Sequence, residues 1–292
     1  VKPGERIMTV IRNGIISTDG TSILGADDKA GIAAVLEMLR ILIEKQISHG
    51  DIEIIFTVME ENGMTGSKSL TYANIRSRIA YVADGSMRPG LLTTASPYKN
   101  RIRIAVEGKA SHAGVNPGKG ISAIQVAAKA IAVMKLLNVD ESTTANIGTI
   151  EGGISENIVC ADIHMKAEVR SHNPKMLECQ TAHMRECFEN AASECGAEVD
   201  FTAALLYPGY SIGEDEYIVR RFRKACGNAG LQFGTCKSGG GSDANIFNSL
   251  GIKAAVVGIG VQNPHSTNEY IPVKDLTDTS ALLIELAGAL GL

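Results

Sequence analysis

Two adjacent glutamates, Glu60 and Glu61, follow an apolar run in the stretch "IEIIFTVMEENG". The run is typical of a β-strand buried on both faces, so the two acids stand where this strand is expected to end. Consecutive side chains of an extended backbone point in different directions, which suits two carboxylates with different tasks. A solvated turn is the simpler interpretation of one such pair, because glutamate is mostly exposed. A chemical role therefore needs partners elsewhere in the chain.

Three further side chains occupy similar places. Asp27 follows "TSILGA", Asp84 follows "IAYVA" and His265 follows "AAVVGIGVQNP". In open α/β sheets ligands bind at the carboxyl ends of the strands, where at least three of these sites are predicted to lie. Carboxylates and an imidazole gathered at one edge suit a divalent metal such as Zn²⁺.

A magnesium-dependent phosphoryl-transfer enzyme is a competing interpretation, because clustered acids also bind Mg²⁺. The stretch "SGGGSDAN" is glycine-rich, but no Lys-Ser/Thr pair of the P-loop type follows it. The imidazole of His265 also favours zinc over magnesium. We expect the glycines to let backbone amides approach a substrate ahead of a helix N-cap.

The elements that must position these residues alternate between strand and helix. A helix is predicted over "DKAGIAAVLEMLRILIEKQ", with strands over "IEIIFTVM" and "IAYVADGS". From about residue 96 the pattern changes to β-α-β-β-α-β, and after "YPGY" the α/β alternation resumes. We therefore predict a mostly parallel-sheet α/β domain over residues 1–95 and 209–292, with a smaller domain inserted at 96–208.

Composition excludes several classes of partner. The 292 residues carry a net charge of −4, and the basic residues are not clustered, which argues against nucleic acid and acidic membrane surfaces. No apolar stretch reaches the roughly 18 residues that a membrane span needs. The six cysteines form no CxxC pair, so we expect reduced thiols and a cytoplasmic protein.

Seven motifs stand in one order: "LGADDKAGIAA", "FTVMEENGMTGSKSL", "YVADGS", "GKASHAGVNPGKGISAI", "AEVRS", "GGGSDAN" and "NPHSTNEYI". Together they resemble the zinc-dependent M20 metallopeptidases, and in particular the peptidase T-like branch. The resemblance covers nearly the whole chain. It implies a zinc-exopeptidase catalytic domain, an inserted ferredoxin-like lid and dimerisation domain, and hydrolysis of short peptides in the manner of a tripeptide aminopeptidase.

The resemblance also implies roles for the residues above. Asp27 would bridge two zinc ions, for which Co²⁺ or Mn²⁺ are substitutes. Glu61 and His265 would hold one of these ions, and Asp84 the other. Glu60 would be the general base, so that one of the two adjacent glutamates binds metal and the other moves a proton. Asp28 is expected to be structural.

Three residues of the inserted domain complete the resemblance. His112, in "GKASHAG", would reach the metals of a partner subunit and stabilise the developing oxyanion, which implies a homodimer formed through the inserted domain. Arg170 would clamp a substrate carboxylate, because its guanidinium suits bidentate pairing. Asn157, in "GGISENIV", would add a polar contact to the substrate.

One feature departs from the family pattern. M20 enzymes carry an upstream His-x-Asp motif that supplies a zinc ligand, and "VKPGERI" resembles the stretch that follows it. We therefore expect the zinc at Asp84 to lack its imidazole here, and the first strand and helix of the catalytic domain to be absent. Two alternatives stay open. One is an amidohydrolase acting on N-acyl amino acids, and the other is a catalytically silent fragment or binding scaffold.

Overall fold

The chain divides into two compact units in the computed structural model, which describes residue 4 and residues 6–288. The first unit comprises Val1–Ser96 and Tyr210–Leu292, and the second comprises Pro97–Gly209. Each unit has its own buried apolar core. Across the described residues, no helix combines the length and the apolar character that crossing a membrane requires.

The first unit begins with a short hairpin and continues with helices and strands. Its elements before the second unit are β1 (Thr9–Arg12), β2 (Ile15–Thr18), α1 (Ala26–Glu44), α2 (Thr65–Lys68), β3 (Ile79–Gly85) and β4 (Leu91–Ser96).

The second unit contains β5 (Tyr98–Glu107), α3 (Ala123–Val133), β6 (Leu137–Asn138), β7 (Thr143–Gly152), β8 (Asp162–Ser171), α4 (Pro174–Cys195) and β9 (Glu198–Tyr207). Apart from the two-residue strand β6, this is the predicted β-α-β-β-α-β order. The strands form one antiparallel sheet in the order β6-β7-β8-β5-β9. Strand β8 alternates as its sequence predicts, with a buried face of Ile163, Met165, Ala167 and Val169.

The chain then returns to the first unit as β10 (Tyr210–Ser211), α5 (Tyr217–Asn228), β11 (Gly234–Lys237), α6 (Asp243–Ser249), β12 (Lys253–Gly258), β13 (Tyr270–Pro272) and α7 (Val273–Ala287). Its main sheet has the order β10-β4-β12-β3, with β11 paired to β4. Strand β12 runs parallel to β3 but antiparallel to β4, so the sheet is mixed rather than mostly parallel. A separate antiparallel sheet joins β1, β2 and β13.

Helices cover both faces of the main sheet. Helices α1, α5 and α7 share one apolar cluster with Ala255 and Val257 of β12. Helix α6 shares another with Ala254 and Val256, which point to the opposite face of the same strand. Strand β12 is therefore buried on both sides, which explains its uninterrupted apolar sequence.

The strand predicted over residues 52–59 does not form. Its side chains alternate as in a strand, because Ile52 and Ile54 pack with the α1 cluster and Ile55 packs with the α6 cluster. Its backbone, however, belongs to no sheet in the described part of the chain. Apolar sequence predicts burial of side chains but does not supply a neighbouring strand.

The unpaired segment lines a cavity of about 670 Å³. Residues 50–57 line one side of the cavity, and residues 77–84, which include most of β3, line the other. Helix α1 and the end of α7 contribute to one wall, and Phe247 of α6 contributes to another. Within the described residues β3 pairs only with β12. The cavity therefore has the form of an open strand position between two strand-like edges, with helices on both faces.

Candidate metal centre

Three side chains of the first unit converge at the edge of the cavity. His265 Nε2 lies 3.1 Å from Asp27 Oδ2 and 2.7 Å from Glu61 Oε1. One ligand atom from each residue lies within 4.8 Å of the others, and the described residues contain no second group of three such side chains. Two carboxylates and an imidazole are a donor set that fits a zinc ion with one coordination position left for water.

The three candidate ligands differ in exposure in a way that suits entry of an ion. The side chains of Glu61 and His265 are each 63 % exposed, whereas that of Asp27 is 22 % exposed. Asp27 stands in the first turn of α1 with φ −81° and ψ 101°, outside the helical range. His265 has φ 62° in the loop between β12 and β13. Both candidate ligands therefore come from irregular backbone.

A tight loop presents Glu60 and Glu61. The Glu60 carbonyl oxygen accepts hydrogen bonds from the backbone N–H groups of Gly63 and Met64, at 2.9 and 2.7 Å. Met59 and Met64 have positive φ values of 57° and 62°. The loop is thus turned back on itself by its own backbone, which fixes where the two adjacent carboxylates leave the chain.

Asp243 holds the two ends of this loop. Its carboxylate is 5 % exposed and accepts hydrogen bonds from the hydroxyl groups of Thr57 and Ser67, both at 2.5 Å. Sequence reasoning assigned the surrounding "GGGSDAN" to its glycines and to a helix cap, and it missed this aspartate. The helix cap itself is present, because the Ser242 side chain accepts a hydrogen bond from the Ala244 N–H at the start of α6. The sequence offered only an aspartate directly after the predicted N-cap, and its burial is visible in the structure alone.

Glu60 lies deeper than Glu61 and has a shifted pKa. Burial raises the pKa of Glu60 to about 7, with further upward contributions from the negative charges of Glu61, Asp243 and Asp27. A carboxyl group with a pKa near neutrality can both accept and release a proton at working pH. The two adjacent glutamates therefore have different environments, although they stand in a turn rather than in the expected extended backbone.

Asp84 joins the same acidic group from β3. Burial, together with the negative charges of Asp28, Asp27 and Glu60, raises its pKa to about 9. Burial also raises the pKa of Asp28 to about 7, although the Gly31 N–H donates to its Oδ1 at 3.1 Å. A divalent cation among these carboxyl groups would lower their pKa values by supplying positive charge.

The charge on His265 follows from the same acids. Desolvation lowers its pKa, but the charges of Glu61 and Asp27 outweigh desolvation, so the pKa of His265 is raised overall. A metal-binding imidazole must be neutral, so binding of a metal here would release a proton.

The three predicted residues of the second unit lie in two places. His112 and Asn157 are exposed neighbours, because the Ala113 N–H donates to the Asn157 carbonyl oxygen at 2.9 Å and His112 pairs with Ile158 in a β-bridge. Arg170 lies on β8, where its Nε donates to Glu168 Oε1 at 2.7 Å. The guanidinium proposed to clamp a substrate thus has an intramolecular carboxylate partner.

Two known proteins are similar in sequence to nearly the whole chain. The chain is 41 % identical to the Bacillus subtilis protein YqjE over 286 residues, which cover 98 % of this chain and 77 % of the relative. It is 27 % identical to peptidase T of Geobacillus kaustophilus over 282 residues, which cover 93 % of this chain and 66 % of the relative. The chain therefore spans about three quarters of one relative and just under two thirds of the other.

Two solved structures are similar over almost the whole chain. The aminopeptidase PepT from Bacillus cereus superimposes with a TM-score of 0.89 at 42 % identity, and a tripeptidase from Staphylococcus aureus does so with a TM-score of 0.94 at 41 % identity. Each comparison covers 98 % of this chain and 77 % of the other. Residues 24–289 also match the sequence profile of peptidase family M20/M25/M40. Taken with the converging acids and imidazole, this match shows that the chain belongs to peptidase family M20/M25/M40 and is a metallopeptidase.

Proposed function

We propose that this protein is a zinc-dependent exopeptidase that hydrolyses short peptides. The observation that carries the proposal is the convergence of Asp27, Glu61 and His265 beside Glu60, whose pKa lies near neutrality. The two solved relatives at 41–42 % identity are an aminopeptidase and a tripeptidase, which favours peptides over N-acyl amino acids as substrates. Tripeptides are therefore the first substrates to test.

In this proposal the protein's own residues divide the work. Asp27, Glu61 and His265 hold the ion that, when bound, polarises the scissile carbonyl and lowers the pKa of a water. Glu60 accepts the proton of the attacking water and passes it to the leaving amine. His112 of a partner copy donates a hydrogen bond to the developing oxyanion. Arg170 and Asn157 bind the substrate, which requires Arg170 to exchange Glu168 for a substrate carboxylate.

A second zinc ion would be held by Asp84 and the shared carboxylate of Asp27. These two residues supply fewer ligands than the three or four of an ordinary zinc site. We propose that an additional strand, carrying a His-x-Asp motif, fills the open position between residues 52–57 and β3. The support is the form of the cavity and the greater length of the relatives. Asp84 lines the same cavity, so a strand placed there would bring its imidazole close to this carboxylate.

The partner and the compartment belong to the same proposal. We place the protein in the cytoplasm because its six cysteines are all free thiols. We expect a homodimer formed through the second unit, which the role assigned to His112 requires. Strand β9 pairs only with β5 among the described residues, so one of its edges is open to a second copy.

The direct test compares hydrolysis of an unblocked tripeptide with that of an N-acetylated amino acid by the zinc-loaded protein. Faster turnover of the tripeptide supports the exopeptidase. Faster turnover of the acylated amino acid supports the amidohydrolase instead. A chain that binds Zn²⁺ but turns over neither substrate, even when an upstream His-x-Asp strand is supplied, would favour the silent scaffold.

A further inference from the structure

Glu269 is a buried carboxyl group to which the proposed mechanism assigns no task. It is 1 % exposed, which makes it one of the most buried charged side chains described. Its Oε2 accepts a hydrogen bond from the Gly25 N–H at 2.6 Å, and its Oε1 accepts one from the Asp27 N–H at 2.9 Å. Both carboxyl oxygens are thus used to hold the backbone on either side of Ala26.

The two hydrogen bonds to Glu269 restrain backbone at the start of α1 that the hydrogen bonds of the helix do not hold. The first N–H groups of an α-helix have no intrahelical partner, and Asp27 stands in the first turn of α1. Gly25, the residue before α1, has a left-handed backbone conformation with φ 66°, and the backbone angles of Asp27 are not helical. Hydrogen bonds to a carboxylate are stronger than neutral ones, so Glu269 supplies a strong restraint on this turn.

The same residue belongs to the loop that carries His265. This loop is closed at its base by the backbone hydrogen bonds between Gln262 and Tyr270, at 2.8 and 3.1 Å. Inside it, the Glu269 N–H donates to the Ser266 carbonyl oxygen at 3.1 Å. His265 and Glu269 are therefore parts of one closed loop, and Glu269 connects that loop to the turn that carries Asp27.

We propose that Glu269 is a positioning residue that fixes the spacing between the carboxylate of Asp27 and the imidazole of His265. It is not a ligand itself. It acts by fastening the turn of one ligand to the loop of the other, which sets the 3.1 Å separation of Asp27 Oδ2 and His265 Nε2 before an ion arrives. This inference rests on the proposed function, since it requires these residues to bind a metal.

The inference predicts a loss of metal affinity beyond any loss of stability. Residues that orient metal ligands typically change affinity by about 10- to 100-fold when replaced. A residue that merely supports the fold would lower the unfolding temperature but leave the affinity of the folded protein unchanged. Metal affinity measured well below the unfolding temperature therefore separates the two roles.

The test uses the full chain and Zn²⁺ alone. The Glu269→Gln variant keeps the shape of the side chain but turns one acceptor into an NH₂ group that faces a backbone N–H. Glu269→Asp keeps both oxygens but is one methylene shorter. The matched control is Glu178→Gln, an exposed glutamate of α4 in the second unit. The dissociation constant for Zn²⁺ is measured by competition with a chromophoric chelator, and unfolding of the metal-free chain is followed in parallel.

We expect the dissociation constant to rise at least about tenfold for Glu269→Gln, less for Glu269→Asp, and to stay within about twofold for the control. Unchanged affinity in the folded variants would overturn the proposal, however far the unfolding temperature falls. Failure of both variants to fold would also overturn it, because Glu269 would then be a folding residue. If the unaltered chain binds no Zn²⁺, the proposed function itself has failed, and this outcome is distinct from unchanged affinity in the variants.

Discussion

His265 Nε2 lies 2.7 Å from Glu61 Oε1, although one residue follows the unpaired segment 52–57 and the other lies in the loop after β12. The loop after β12 supplies the imidazole, whereas Glu61 comes from the tight loop after a segment that pairs with no strand in the described part of the chain. The imidazole also reaches Asp27 at the start of α1. Three separate stretches of the sequence thus meet at one point, and the following predictions concern what happens there.

The two adjacent glutamates should respond differently to the same substitution. Glu61→Gln should lower metal affinity, because it removes a ligand charge. Glu60→Gln should leave metal content nearly intact and reduce turnover by roughly 10²-fold or more, the usual range for general acid–base catalysis. Metal analysis and tripeptide hydrolysis, measured on the same preparations, check both. Identical behaviour of the two variants would contradict the division of work.

The metal-free chain should lose stability as the pH rises from about 4 to about 9. The pKa of Asp84 is raised by burial from 3.8 to about 9, and that of Glu60 is raised by burial from 4.5 to about 7. A carboxyl group whose folded pKa is raised contributes stability at low pH, and this contribution disappears as the pH passes the folded value. Chemical unfolding with a chelator present, repeated across this range, measures the trend.

Asp84→Asn is the matched variant for this pH dependence. The amide cannot ionise, so the decrease between about pH 7 and 9 should become shallower. Added Zn²⁺ should raise the stability of the unaltered chain at neutral pH, because a ligand that binds only the folded state stabilises it. A metal-free chain that gains stability from pH 5 to 8 would contradict the assignment of these buried acids.

Removal of one hydroxyl group should loosen the loop that carries Glu60. Ser67 is fully buried and donates to Asp243, so Ser67→Ala should lower the free energy of unfolding by about 1.5–3 kcal/mol, the range for hydrogen bonds to charged groups. Ser69→Ala is the control, since Ser69 is exposed and its hydroxyl donates to the neutral Thr65 carbonyl oxygen. Urea unfolding of both variants gives the comparison. Equal losses of unfolding free energy in the two variants would show that the hydrogen bond from Ser67 to Asp243 stabilises the fold no more than the exposed bond of Ser69 does.

Supplying an upstream strand with a His-x-Asp motif should add a second equivalent of zinc and increase tripeptide hydrolysis. The reason is that Asp84 and the shared Asp27 are too few ligands for a second ion. The same segment with its histidine changed to alanine is the control. It should still fill the cavity and stabilise the fold, but it should not raise the zinc content. Equal zinc content and activity with and without the segment would show that the chain holds another ligand.

His112 should act across a dimer. A mixture of His112→Ala and Glu60→Gln chains, each nearly inactive alone, should recover roughly a quarter of full activity after subunits exchange in a two-fold dimer. In a mixed dimer one active site then has its own Glu60 and receives His112 from the neighbour. No recovery in a mixture shown by sedimentation to contain mixed dimers would place His112 outside the partner's site.

The sequence predicted the elements that have strong local patterns, such as the alternating face of β8 and the long helix α4 with Pro174 in its first turn. It also predicted that Asp27, Glu61 and His265 would lie together, but for an incomplete reason, since among these three only His265 follows a described strand of the main sheet. It missed β4, whose buried residues include Thr93, Thr94 and Ser96 and so lack an apolar pattern. Such burial depends on tertiary contacts rather than on local sequence.

The contacts that support the site were the least predictable. The hydrogen bond from the Asp27 N–H to Glu269 joins residues 242 positions apart, and no local pattern reports it. The predicted strand over residues 52–59 failed for a related reason, because its pattern describes its own two faces and not its neighbours. Side-chain periodicity records burial, whereas pairing and buried polar contacts are properties of the assembled unit.

The open edge of β3 has a consequence for how this chain behaves in a crowded solution. Unpaired strand edges act as templates on which other extended chains assemble. Residues 52–57 and β3 present two such edges facing one cavity, and exposed apolar side chains such as Phe56 and Val58 lie nearby. Copies of this chain should therefore self-associate as their concentration rises and become a target for chaperones that recognise extended apolar segments. An extended peptide that fits the cavity would act as a folding aid by suppressing that association.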